Sequence, residues 1–158
     1  VRNPANAGFA AACNQGAHGS AADYLLFLNP DTVLGADTLD RVLAFMAGPA
    51  QEDVGICGIR LVDDAGRFTT AAARFPSLAV LLGEITGLSR LGVLPRHLLT
   101  ADECRTTRDV DQVIGAFFLI RRPLFETLGG FDERFFVYFE EVDLSRRARS
   151  AGWRSVYY

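Results

Sequence analysis

Lysine is absent from the 158-residue chain, so all 16 basic side chains are arginines. The net charge is −3 and no basic stretch occurs, which argues against a nucleic-acid-binding surface. No apolar run reaches the roughly 18 residues of a membrane span. The chain has only two histidines, and its three cysteines never have CxxC spacing, so a structural zinc site is not expected. Well-separated cysteines indicate reduced thiols, and we expect a cytoplasmic protein.

Apolar runs alternate with helical patterns along the chain. We predict strands over 23–28, 54–62, 110–121 and 153–158, and helices over 8–19, 37–46, 78–91, 122–128 and 140–151. This alternation predicts an α/β domain with a mostly parallel sheet and flanking helices. A strand pattern still runs at 153–158 and the chain opens in mid-pattern, so we expect a domain truncated at both ends.

The stretch LLFLNPDT, residues 25–32, ends a predicted buried strand with an amide and a carboxylate. Pro30 forces the chain out of the sheet, and ligands of α/β sheets bind outside the carboxyl ends of strands. Asp31 could therefore hold a hard divalent cation such as Mg²⁺, which takes one or two protein carboxylates and completes its shell with water and phosphates. Alternatively, Asp31 caps the next turn together with Thr32.

A second acidic group, Glu140, Glu141 and Asp143, begins the predicted helix 140–151. The helix dipole alone favours negative charge in a first turn. Crowded carboxylates also raise one another's pKa, which suits a general base. The residues alone leave both interpretations open. The aromatic side chains of the preceding FDERFFVYF stretch are expected to pack mostly in the core, with Tyr138 the best candidate for a polar contact.

Several stretches in order resemble the family 2 glycosyltransferases of the GT-A fold, closest to the rhamnosyltransferase-like branch. They are ANAGFAAACNQGA, YLLFLNPDTVL, GIRLVDDAGR, ARFPSL, VIGAFFLIRR and GGFDERFFVYFEEVDLSRRARSAGW. The resemblance implies that residues 1–158 are part of a GT-A (nucleotide-diphospho-sugar transferase) catalytic domain. Such a domain would lack here the family's N-terminal βαβ unit and its C-terminal end.

The resemblance also implies a role for each matching residue. Asn29 and Asp31 match the DxD-type motif, so Asp31 would hold Mg²⁺ or Mn²⁺ against the donor diphosphate. Glu141 matches the catalytic base, where the family has Asp, and its extra methylene shifts the carboxylate by about 1.5 Å. The resemblance places Asn6, Gly8 and Asn14 near the nucleotide of the donor. The residues that it places on the sugar and acceptor side are Gly115, Ala116, Tyr138, Glu140 and Asp143.

The implied activity is metal-dependent, inverting transfer of a sugar from a nucleotide-diphospho-sugar. The implied donor is dTDP-rhamnose or a UDP-sugar, and the acceptor a saccharide or lipid-linked saccharide of the cell envelope. A lipid-linked acceptor implies peripheral association with the inner face of the cell membrane. A non-catalytic sugar-nucleotide-binding module and a nucleotidyltransferase are the alternatives, and the FDERFFVYFEEVDL stretch argues against the second.

Overall fold

The apolar runs of the sequence form the strands of a central sheet in a computed structural model that describes residues 2–158. The strands are β1 (Tyr24–Leu28), β2 (Val54–Gly58), β3 (Ala72–Ala73), β4 (Arg108–Val110), β5 (Gln112–Val113), β6 (Phe117–Arg121) and β7 (Arg154–Tyr157). The helices are α1 (Phe9–Ala17), α2 (Thr38–Met46), α3 (Leu78–Thr86), α4 (Arg122–Thr127) and α5 (Glu140–Ser150). A 3-10 turn over Pro49–Gln51 precedes β2. The predicted helices are confirmed, except that α3 ends at Thr86, before Gly87 in the left-handed conformation, and not at residue 91.

The central sheet has the strand order β1-β6-β2-β7-β4, and its strand directions correct the expectation of a mostly parallel sheet. Only β2 and β7 pair in parallel, whereas β1 with β6, β2 with β6 and β4 with β7 are antiparallel. The strands β1, β2 and β7 do run in one direction. The sheet is mixed because β6 is inserted between β1 and β2 in the opposite direction.

The predicted continuous strand over 110–121 is also wrong. The chain instead forms β4, β5 and β6, with a turn at 114–116 that leads into β6. β5 leaves the central sheet and pairs with β3, where Ala72 lies opposite Val113 and Ala73 opposite Gln112. Gly115 lies in this turn, and a glycine inside an apolar run is a common site of such a break.

Helices cover both faces of the central sheet. Phe118 and Ile120 of β6 pack among buried side chains of α1, α4 and α5. Phe117 and Leu119, which point to the opposite face, pack against Val42 and Met46 of α2. The alternation of β6 side chains thus divides the core into two layers. Among residues 2–158, no helix has the length and apolar character that crossing a membrane requires.

Candidate active site

A cavity of about 340 Å³ lies at the carboxyl end of β1. Its walls come from the start of α1, the turn after β1, the 114–116 turn, and the segment that leads into α5. Of the residues singled out from the sequence, it gathers Asn29, Gly115, Ala116, Tyr138, Glu140 and Glu141. Phe27, Phe118 and Phe131 form an apolar wall. Acidic side chains therefore meet an aromatic surface in a concave site, as expected of a small-molecule pocket.

Backbone hydrogen bonds fix the turn after β1 against the 114–116 turn. The amide of Asn29 donates to the carbonyl of Ala116 at 3.2 Å, and the Thr32 hydroxyl donates to the same oxygen at 3.4 Å. The Thr32 amide closes the turn on the carbonyl of Asn29 at 3.1 Å. The exposed Asp31 carboxylate makes no hydrogen bond or salt bridge with any other residue in 2–158, so the capping alternative is wrong. Asp31 itself is not part of the cavity wall.

Glu141 faces the 114–116 turn from the first turn of α5. A methyl group built at Gly115 would lie 3.9 Å from the Glu141 Oε1 atom, so the carboxylate lies directly over this glycine. The Oε2 atoms of Glu140 and Glu141 are both buried and have no hydrogen-bond partner among the described residues. Unpaired buried carboxylate oxygens are costly, and in a cavity they mark a place where a ligand group could bind.

Burial is the main reason why the pKa of Glu141 lies above its ordinary value of 4.5. The negative charge of Glu140 raises the pKa of Glu141 further, while amide groups at the start of α5 partly offset the rise. Burial also raises the pKa of Glu140, which is only 5% exposed. A carboxylate with a raised pKa is a better proton acceptor at neutral pH than an ordinary glutamate. Helix dipole stabilisation alone would lower both pKa values, so it does not account for this pair.

The segment before α5 has an unusual backbone. Tyr138 and Phe139 both adopt the left-handed conformation, with φ of 67° and 70°. Two consecutive non-glycine residues in this region cost conformational energy, and such strain often occurs at binding sites. The aromatic side chains here also correct our expectation of core packing, because only Phe131 is buried. Phe136, Tyr138 and Phe139 are all more than half exposed.

Gly8 anchors the N-terminal loop to the same segment. Its φ is +90°, and an added Cβ would lie 2.7 Å from the carbonyl oxygen of Phe136. The Asn6 side chain accepts a hydrogen bond from the Gly8 amide at 3.0 Å, and the Phe9 amide donates to the Phe136 carbonyl at 2.9 Å. Asn6 and Gly8 thus shape the loop beside the cavity without lining it.

Asn14 is also outside the cavity wall. Its side-chain amide donates to the Phe131 carbonyl at 2.9 Å and its oxygen accepts from the Phe131 amide at 2.9 Å. The same amide also contacts the Glu133 carboxylate at 3.0 Å. Gly130 permits this approach, because a Cβ there would lie 2.6 Å from the Asn14 Oδ1 atom. Asn14 therefore ties α1 to the loop that precedes α5.

Residues 1–158 match the family model described as Glycosyltransferase like family 2. The chain belongs to this family. It is 34% identical over 141 residues to the N-acetylglucosaminyl-diphospho-decaprenol L-rhamnosyltransferase of Mycobacterium tuberculosis, a match that covers 85% of this chain and 44% of that protein. It is 30% identical over 137 residues to Rhamnosyltransferase WbbL of Escherichia coli K12, covering 85% of this chain and 49% of that protein. The chain thus spans about half the length of these curated relatives.

A solved structure confirms the fold. The crystal structure of GalNAc-T7 with UDP, GalNAc and Mn²⁺ superposes with a TM-score of 0.64 at 16% sequence identity. The superposition covers 99% of this chain and 30% of that one. The resemblance seen in the motifs is therefore confirmed at the level of family and of the GT-A fold. A likeness at this identity establishes the fold and nothing about ligands.

In this family 2 chain, Asp143 is placed away from the cavity by Arg147. The Arg147 Nε atom donates to the Asp143 carboxylate at 2.7 Å, and the other guanidinium nitrogens donate to the carbonyls of Leu128 at 2.7 Å and Gly130 at 2.9 Å. Arg147 thereby fastens α5 to the end of α4. The i, i+4 spacing of Asp143 and Arg147 on one helix is a local signal of their ion pair, whereas the bonds to Leu128 and Gly130 have no local signal in the sequence.

The described residues contain no group of three or more His, Cys, Asp or Glu side chains arranged to hold a metal ion. A divalent cation that shares its shell with a diphosphate does not need such a group, since one or two protein carboxylates suffice. Asp31 fits that requirement because its carboxylate is exposed, unpaired and held next to a strand end. The residues present are thus compatible with a cation that binds together with its phosphate ligand.

Proposed function

We propose that the complete protein transfers a sugar, with rhamnose favoured, from a nucleotide-diphospho-sugar to a saccharide or lipid-linked saccharide acceptor. The observation that supports this most strongly is the Glu141 carboxylate, which faces a ligand-sized cavity with a raised pKa and no partner for Oε2. Family membership supports the reaction type. Residues 1–158 are proposed to form part of the GT-A catalytic domain of that protein.

In the proposed reaction, Glu141 takes the proton of an acceptor hydroxyl. The hydroxyl oxygen forms a bond to the anomeric carbon as the bond from that carbon to the diphosphate oxygen breaks. The nucleoside diphosphate leaves with the bonding electrons, and a single displacement inverts the anomeric centre. The exposed Tyr138 ring, at the cavity wall, is proposed to contact the acceptor sugar.

Asp31 is proposed to hold Mg²⁺ or Mn²⁺, with Asn29 beside it on the donor side. When bound, the cation would neutralise charge on the leaving diphosphate. Asn6, Gly8 and Asn14 are proposed to act on the nucleotide side indirectly, by shaping the loops around the cavity. Glu140, Gly115 and Ala116 form its sugar-side wall.

The names of the relatives favour rhamnose and a lipid-linked acceptor. The M. tuberculosis protein is named for an L-rhamnosyl group and a diphospho-decaprenol acceptor, and the E. coli protein is named a rhamnosyltransferase. We therefore propose dTDP-rhamnose ahead of UDP-sugars as the donor. Synthesis of a cell-envelope polysaccharide in the cytoplasm, at the inner face of the membrane, is the proposed setting.

Donor binding can be tested by ligand-observed NMR on the complete protein. The panel contains dTDP-rhamnose, UDP-sugars and GDP-sugars, each with and without Mg²⁺ or Mn²⁺. We expect cation-dependent binding of one donor, lost in Asp31→Asn and kept in the control Asp64→Asn, whose side chain is exposed and makes no hydrogen bond or salt bridge with any residue in 2–158. Equal binding by native protein and Asp31→Asn would contradict the assignment of Asp31.

Transfer is tested separately with Glu141→Gln. We expect donor binding to persist and the transfer rate to fall by roughly 10² to 10⁴, the usual contribution of a general base. Glu52→Gln is the control, because Glu52 is an exposed glutamate whose side chain makes no hydrogen bond or salt bridge with the other described residues. Glu141→Asp restores the residue typical of the family. If native protein binds donor but transfers no sugar, and Glu141→Asp gains activity, the module is a non-catalytic binder in its native form.

A further inference from the structure

Helix α3 has an apolar face that no other described residue covers. The side chains of Leu78, Leu81, Leu82 and Ile85 are 72%, 56%, 45% and 73% exposed. Their spacing at i, i+3, i+4 and i+7 places all four on one side of the helix. Four large aliphatic side chains together form a contiguous apolar surface, which in soluble proteins usually marks an interaction site.

The inner side of α3 is fully packed, so rotation of the helix cannot hide this face. Gly83 is buried against the following segment, and a Cβ there would lie 3.0 Å from Leu94 Cβ and 3.1 Å from the Pro95 carbonyl. The Ser89 amide donates to the Gly83 carbonyl at 3.2 Å. We call the four residues of the exposed face, at positions 78, 81, 82 and 85, the α3 patch.

Positive charge accompanies the patch. Arg90 and Arg96 are exposed and form no salt bridge with any residue in 2–158. Arg96 Nε donates to the Ser89 carbonyl at 3.1 Å, which holds that guanidinium close to the turn after α3. Glu84 is the only acidic residue between 77 and 98. An apolar helix face with unpaired arginines beside it has the chemistry of a surface that lies on anionic lipid.

We propose that the α3 patch docks on the surface of an anionic lipid bilayer, with the aliphatic side chains in the interfacial layer and Arg90 and Arg96 against lipid phosphates. The charges favour this occupant over a second copy of the chain, because two such positive surfaces would repel each other. The helix is too short to span a bilayer, so the contact is with one leaflet.

The position of α3 relates the patch to the cavity. Phe75, just before α3, donates its amide to the Asp111 carboxylate at 2.9 Å, and β3 pairs with β5. The chain then runs directly from β5 into the 114–116 turn, where Gly115 lines the cavity. The α3 segment and the 114–116 turn at the cavity are thus connected through one small sheet. The proposed function is needed only for the further step that relates membrane docking to a lipid-linked acceptor.

The test is flotation of the complete protein with vesicles of phosphatidylcholine alone and of phosphatidylcholine mixed with phosphatidylglycerol, without donor or acceptor. We expect binding to the mixed vesicles. Leu81→Gln combined with Ile85→Gln should weaken it at least about tenfold, because two aliphatic side chains leave the interface. Arg90→Gln combined with Arg96→Gln should weaken it by about fivefold per arginine on the mixed vesicles only.

The matched control is Val62→Gln, which changes an aliphatic side chain of similar exposure outside the patch and should bind as native. Circular dichroism and donor binding verify that each variant is folded. Native protein that floats with neither vesicle overturns the proposal, as do patch variants that bind like native protein. If the native protein does not bind vesicles, and light scattering shows that it is a dimer whereas the Leu81 and Ile85 double variant is not, the patch is assigned to a second copy of the chain instead. A protein that does not bind vesicles can still bind donor and transfer sugar, so this proposal and the proposed function can be refuted separately.

Discussion

Replacing Arg147 by methionine should destabilise the protein by removing a guanidinium that three groups share. Its nitrogens reach the Asp143 carboxylate at 2.7 Å and the carbonyls of Leu128 and Gly130 at 2.7 and 2.9 Å. Methionine keeps most of the apolar stem of arginine, so the change isolates the loss of the charged head. Lysine keeps the charge but cannot reproduce the fork of donors.

The magnitude follows from the burial of this group. Hydrogen bonds that involve a charged partner contribute roughly 1.5 to 3 kcal/mol each when buried. The Arg147 and Asp143 side chains are 30% and 28% exposed, so solvent screening reduces each contribution. We expect Arg147→Met to lower the free energy of unfolding by about 2 to 4 kcal/mol, with Arg147→Lys in between.

Urea denaturation of native protein and variants measures this loss. The neighbouring Arg146→Ala is the control, since that side chain is exposed and forms no hydrogen bond or salt bridge within residues 2–158, and its effect should stay within about 0.5 kcal/mol. Because Arg147 fastens the helix that carries Glu141, the methionine variant should also lose transfer activity at temperatures where it remains folded. Equal stability of the Arg147→Met and Arg146→Ala variants would refute the role assigned to Arg147.

Three further predictions concern the two glutamates and two glycines. Burial raises the pKa of Glu140, so its ionised form disfavours the folded state above pH 4.5. The Glu140→Gln variant should therefore gain stability relative to native protein as the pH rises from 4 to 8, which denaturation at pH 4 and at pH 8 measures. The same variant removes a charge that raises the pKa of Glu141, so the acid limb of the transfer rate should move to lower pH; an unmoved limb argues against Glu141 as the base. Gly8→Ala would bring a Cβ to 2.7 Å from the Phe136 carbonyl oxygen at a φ of +90°, and should lower the free energy of unfolding by about 1 to 3 kcal/mol. Gly16 lies in α1 with open space around it, so Gly16→Ala should raise the free energy of unfolding by about 0.5 to 1 kcal/mol. Thermal melts measure both changes.

Local patterns in the sequence were sufficient for the helices and for much of the cavity. The start of α3 was predicted at residue 78, where the Ser77 hydroxyl accepts from the Val80 amide at 3.2 Å, but its end was placed at residue 91 whereas the helix stops at Thr86 before Gly87. The strand-end motif and the acidic start of α5 were singled out separately, yet Asn29 and Glu141 line one cavity. These features depend on residues close in the chain or on the common edge of a sheet.

Strand direction and long-range packing could not be predicted in the same way. An apolar run looks alike whether its neighbours are parallel or antiparallel, so the inserted β6 was missed. The left-handed backbone at Tyr138 and Phe139, which these residue types do not favour, could not be predicted, nor could the exposure of Phe136 and Phe139. Asn14 was assigned to the nucleotide side, but its amide bonds to Phe131, 117 positions away. Such contacts depend on the finished tertiary structure.

The inserted position of β6 determines when the protein can fold during synthesis. Among residues 2–158, β1 pairs with β6 alone, and β6 emerges from the ribosome about ninety residues later. At 5 to 20 residues per second, this pairing is delayed by on the order of ten seconds. The 114–116 turn, which completes the cavity at the end of β1, emerges in the same interval. Chaperone binding to nascent chains should therefore begin after β1 leaves the ribosome and decline once residue 121 has emerged.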